Sequence, residues 1–126
     1  MSNAGPLTLR GVLGLSALVE FVTGTALLIV PAFILPLLVG ASAGLGEFAP
    51  TLGRCFGIAL MALGTACWPG QKEADRRSPA FRGLLVYNVL IALFLVYLGT
   101  AGHLAGRLLW PAVGVHAAII LLMLWV

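Results

Sequence analysis

From Gly11 to Val30 the chain reads GVLGLSALVEFVTGTALLIV, a run broken by one charge, Glu20. About 20 apolar residues is the length a helix needs to cross a hydrocarbon core of about 30 Å. Within that core only helices and closed barrels satisfy their own backbone. Three further apolar stretches follow, so the sequence predicts an all-α fold, an integral membrane four-helix bundle with spans at about 10–30, 51–68, 83–101 and 108–126. Over 126 residues, 61% are hydrophobic and 9% charged, against about 25% charged in soluble domains. A single transmembrane domain over 1–126 is expected.

The hydrophilic stretch PGQKEADRRSPAFR, residues 69–82, sets Lys72, Arg76, Arg77 and Arg82 against Glu73 and Asp75. By the positive-inside rule it is a cytoplasmic basic loop, and four crossings then place both termini inside, in agreement with Arg10. The net charge of +3 is thus an orientation signal, not a nucleic-acid footprint. The lipid bilayer is the expected partner, and nucleic acid is not. Trp68, Trp110 and Trp125 fall at predicted helix ends, where interfacial aromatics belong.

Residues 1–6, MSNAGP, have the look of a tag-derived remnant and are excluded from fold reasoning. Ala41-Ser42-Ala43 has the form of a signal-cleavage site, but the preceding region is too long and is interrupted by Glu20 and two prolines. Proline cannot continue the backbone ladder, so the first span should end near Pro31. Residues 31–50 are then expected as an outer interfacial loop, with a lid over the bundle as the sharper alternative. Gly53 and Gly57 form a GxxxG pair, extended by Gly64, read as intramolecular helix packing first and a dimer contact second. Cys55 and Cys67 lie about 18 Å apart along one helix and cannot bridge.

A charge at mid-span costs roughly 2.5 to 3.5 kcal/mol on insertion scales, so Glu20 must face inward. Its helical neighbours Ser16, Ala17, Thr23 and Gly24 form a small, weakly polar stripe suited to a packed face. On a straight-helix ruler Glu20 lies roughly 15 Å below the outer edge, His116 about 13 Å, Arg54 about 6 Å and Asn88 about 20 Å. With Tyr87 beside Asn88, these residues form the candidate polar centre. Two readings stand: a structural Glu20–Arg54 ion pair with Asn88 and His116 hydrogen-bonded beside it, or a cavity where Glu20 and His116 bind a ligand or relay protons.

The pattern Gly53-Arg54-x-x-Gly57-Ile58-Ala59-Leu60, with Leu109-Trp110-Pro111-Ala112-Val113 and His116 later, resembles small four-helix inner-membrane proteins of bacteria, similar in size and layout to the DoxX-like group. That resemblance implies a multi-pass protein of the bacterial inner membrane, associated with quinone-linked oxidoreductase complexes, and carries over no catalytic residue. Leu18 to Thr25, LVEFVTGT, is similar to the first helix of small multidrug resistance transporters, four-helix dimers whose one membrane carboxylate exchanges protons for cationic drugs. By that match Glu20 would be the coupling residue, although the third span lacks that family's aromatic and glycine pattern.

No HExxH, CxxCH, nucleophile elbow or second membrane carboxylate is present, and His103 belongs to an outer loop while His116 is deep. No catalytic residue, metal site or cofactor is therefore expected. The expected function is non-enzymatic binding of a hydrophobic or amphipathic ligand, or service as an accessory subunit of a membrane complex. The alternative is a proton-coupled small-molecule transporter working through Glu20 as a dimer; a homo-oligomer or membrane-complex partner is expected beside the bilayer.

Overall fold

A computed structural model describes residues 8–69 and 75–126; residues 1–6, with their tag-like sequence, and Lys72 and Glu73 of the basic loop fall outside them. Among the described residues the chain is all-helical: α1 (Leu9–Ile29), α2 (Pro31–Val39), a 3-10 turn (Ala41–Ala43), α3 (Ala49–Ala66), α4 (Pro79–Thr100) and α5 (Leu109–Trp125). Three of these, α1, α3 and α4, are long and apolar enough to cross a membrane, and α5 is a shorter apolar helix.

Local chemistry accounts for the boundaries. The Thr8 hydroxyl accepts the Gly11 N–H at 3.2 Å and caps α1, satisfying one of the donors a helix start leaves unpaired. Pro31 ends α1 and begins α2, taking the first helical position, where a missing N–H costs nothing. Ser78 caps α4 through the Phe81 N–H at 3.1 Å, with Pro79 following it. This cap-and-proline pair starts α4 four residues before the predicted position, so Arg82 lies inside the helix and not at its edge. At the other end of α5, the Arg76 guanidinium donates to the Leu124 carbonyl at 3.2 Å, a cation where helix carbonyls are unpaired.

The helices pair as α1 with α3 and α4 with α5. The α1–α3 seam is glycine on glycine: a Cβ at Gly57 would stand 2.6 Å from the Gly24 carbonyl oxygen, and one at Gly24 would stand 2.6 Å from that of Gly57. Further along, a Cβ at Gly64 would come within 2.6 Å of the Ala17 carbonyl oxygen. Backbones this close give dense van der Waals contact, the main attraction left between helices in lipid. The two pairs meet where α1 and α4 begin and α3 and α5 end, in a core that includes Leu13, Cys67, Phe81, Leu84, Ile119 and Met123.

At the opposite end the segment 31–50 is not simply a loop. Its first half is α2, packed on α3 and α1. The C-terminal carbonyls of α2 find partners in the strand of chain before α5: Leu38 accepts from Gly106 N–H at 3.0 Å and Leu37 from Leu108 N–H at 2.8 Å. A side chain at position 106 would collide with the Leu37 carbonyl, so this tether requires glycine.

Candidate functional site

Ser16 and Glu20 lie one turn apart on the buried face of α1, together with Ala17, Gly24 and Leu27. Thr23, predicted on that stripe, is exposed. From α4 the Asn88 amide enters the interior at 0% exposure, and from α5 His116 joins it. The Asn88 Nδ2 donates to the Ser16 hydroxyl at 3.0 Å and to the Leu84 carbonyl at 2.8 Å. Its Oδ1 lies 2.8 Å from His116 Nδ1. One amide thus links α1, α4 and α5 with every one of its hydrogen-bonding groups occupied.

That network fixes a tautomer. A backbone carbonyl can only accept, so the Leu84 contact orients the Asn88 amide with its nitrogen inward and its oxygen toward the histidine. His116 Nδ1 must then be the protonated nitrogen, and in the neutral ring Nε2 carries the lone pair. Tyr87, one residue before Asn88, meets the His116 ring edge-on with centroids 5.9 Å apart.

Glu20 is different. At 1% exposure, both of its carboxyl oxygens are sealed from solvent and meet no hydrogen-bond geometry among the described residues. The Tyr87 phenol lies beside the carboxyl and is coupled to it electrostatically. A buried polar group without a partner is costly and demands an explanation.

The structure therefore brings together Glu20, Tyr87, Asn88 and His116. It leaves Arg54 out: Arg54 is exposed on α3, and no ion pair to Glu20 forms. Helix geometry is the cause. Gly53, Gly57, Leu60 and Gly64 are the buried face of α3, and Arg54 sits about 100° around from Gly53.

Beside this cluster a cleft of about 420 Å³ opens between the two helix pairs, lined by residues of all five helices. Val19 and Leu27 line one wall, Leu60 another, Ile91 and Leu95 a third, and α2 roofs it with Ile34 and Leu38. The polar side chains reaching it from α4 and α5 are Tyr87 and His116. Leu18, Val22, Phe56 and Val115, all substantially exposed, form its rim. Sequence reasoning found the polar residues but not the cleft, whose walls are ordinary aliphatic residues with no distinguishing pattern. Ser16 was visible only as a small residue; its signal as a hydrogen-bond partner is its one-turn spacing from Glu20.

No family model matches the chain, and neither does any curated protein or solved structure.

Proposed function

We propose that this chain is a multi-pass protein of the bacterial inner membrane, a four-helix bundle in which α5 is the fourth crossing and both termini are cytoplasmic, and that it binds an amphipathic ligand in the cleft. The binding reading rests on one observation: an apolar cleft between the two helix pairs is walled in part by Tyr87 and His116, the polar side chains that adjoin Asn88 and the buried Glu20. Ligand pockets have this character, with a few polar groups in a mainly apolar wall. The orientation is supported by Arg10 in the first turn of α1, Arg82 in the first turn of α4, and Arg76 and Arg77 in the loop before it, all at the end of the helices beside the Leu13–Met123 core. Exposed Trp110 and Trp125 at the two ends of α5 suit the two interfaces.

Native mass spectrometry of the protein released from its host membrane tests the binding reading. Wild type is expected to retain a lipid-like adduct, and Ala112→Trp, which fills the cleft from α5, is expected to lose it while staying folded. An adduct that persists in Ala112→Trp would place the ligand elsewhere and end this reading. The sealed carboxyl of Glu20 favours a second reading, a proton-coupled carrier, because a membrane-buried acid is the ordinary device for moving protons. Substrate transport into liposomes that survives Glu20→Gln would remove it.

A further inference from the structure

Resting on that binding reading, we infer that the cleft takes the tail end of one hydrocarbon chain of a bilayer lipid, which enters sideways from the outer leaflet while its head stays at the interface. Closure above and below comes first. On the outer side α2 covers the cleft with Ile34 and Leu38, and the Leu37 and Leu38 carbonyls tie α2 to the N–H groups of Leu108 and Gly106. On the cytoplasmic side the Ser16–Asn88–His116 hydrogen bonds cross between the helix pairs, and the Leu13–Met123 core lies beyond them. The cleft therefore opens to the side. Its exposed lining residues Leu18, Val22, Thr23, Phe56 and Val115 form the mouth, between the α1–α3 pair and α5.

Depth then selects the occupant. Phe56 and Val115 lie about 10 Å inside the outer ends of α3 and α5, and Leu18 and Val22 about 10 to 16 Å inside the outer end of α1. In a chain that crosses the membrane those depths are hydrocarbon, in the outer half of a core of about 30 Å. A head group there would give up water for a wall that is apolar at twelve of its fifteen residues, and a polar group without a partner is costly. The other three residues offer little in return: Thr23 is exposed at the mouth, Tyr87 is coupled to Glu20, and His116 is bound to Asn88. A methylene chain asks for no partner. At roughly 30 Å³ per small heavy-atom group, close to the share of a water molecule in the liquid, the cleft holds about fourteen such groups. That is one chain, and the second chain of a diacyl lipid stays in the bilayer. Leu27, Leu60 and Leu95 line the cleft and are buried, so a probe reaches them only from inside it.

The test uses wild-type protein in phosphatidylcholine nanodiscs doped with one of two photolabels, a phosphatidylcholine carrying a diazirine either at the end of one acyl chain or beside the glycerol. Labelled residues are read by mass spectrometry. The chain-end probe is expected on Leu27, Leu60 and Leu95, at about tenfold the level given by the glycerol-side probe, the effect of bringing one polar group to that depth without a partner. Leu90, Leu93 and Leu121, exposed on α4 and α5, report the lipid around the protein. Val115→Trp, which narrows the mouth, should lower label on the three cleft leucines and leave it unchanged on the three exposed ones. Gly106→Ala, which breaks the tether of α2, should change neither. If a variant fails to fold, the two probes on wild type decide alone. Equal labelling of the cleft leucines by both probes would put the head inside and overturn the inference. Label raised by Gly106→Ala and untouched by Val115→Trp would put the entrance under α2 and overturn side entry. Cleft leucines left unlabelled would overturn the inference outright, and the native mass spectra then judge the binding reading separately. An adduct lost in Ala112→Trp would keep the cleft as a binding site, and an adduct retained there would end both.

Discussion

The two sides of α1 are built on opposite principles. Toward α3 it offers Ala17 and Gly24, and the two backbones touch with no side chain between them. Toward α4 and α5 it offers Ser16, Val19 and Glu20, and the contact is a hydrogen-bond network beside an open cleft. The first seam uses shape alone and leaves no space for anything else. The second carries polar groups that need partners, and the room that separates the two helix pairs is where a partner can come from. Stability and binding are in this way assigned to different faces of one helix.

The sharpest way to break that division is to put a side chain in the glycine seam. Gly57→Ile sets a branched carbon against the Gly24 carbonyl and the Leu28 amide, both backbone, so neither can swing away. Overpacking of a close seam costs about 1–3 kcal/mol for modest insertions and more when backbone must move, so Gly57→Ile is expected to lose more than about 3 kcal/mol in reversible unfolding in mixed micelles. Near-wild-type stability would show that α1 and α3 are not held by backbone contact.

Next in size is Asn88→Leu, which removes the centre of the network on the other side. It leaves His116 Nδ1–H and the Ser16 hydroxyl without their partner in a buried site. An unsatisfied buried donor or acceptor costs about 1–3 kcal/mol, and the same unfolding assay should report a loss of about 2 kcal/mol. Ser16→Ala, which removes a single partner of an amide that keeps two others, is expected to lose less. If the two variants cost the same, the amide is not the hub of this side.

The contrast between the seams also explains what could be read from the sequence. The all-helical fold and the approximate placement of the three long apolar helices followed from run length and proline alone, because lipid permits so few backbone solutions; of the four expected spans, the last is a shorter apolar helix. The glycine seam was legible as Gly53, Gly57 and Gly64, since small residues at helical spacing have one main use in a membrane. The polar side was only half legible. Glu20, Asn88 and His116 stood out as costly residues at depth, but their partners depend on rotation of each helix about its axis, and a depth ruler carries no rotation. Arg54 looked close enough to reach Glu20 and proved to face outward. Asn88 and His116 were grouped in one layer by depth, and the contact between them follows from how α4 and α5 are rotated. The cleft left no trace, being the space between aliphatic walls.

Glu20→Gln is expected to produce the smallest change in stability, and that is its value. If the carboxyl were half of a buried ion pair, removing its charge would strand the other half at about 3–5 kcal/mol. Among the described residues there is no cationic other half: Arg54 is exposed, and the near neighbour Tyr87 is neutral. Glutamine keeps the shape and replaces one unpartnered buried polar group with another, so unfolding should stay within about 1 kcal/mol of wild type. Arg54→Gln, a change on an exposed face, should stay within about 0.5 kcal/mol. A loss above about 3 kcal/mol in either variant would mean that the carboxyl has a cationic partner in the folded protein, and the polar side of α1 would then be a structural seam like the glycine one. With both variants near wild type, Glu20 contributes little to holding the helices together, and the side of α1 toward α4 and α5 is held by the Ser16–Asn88–His116 hydrogen bonds instead.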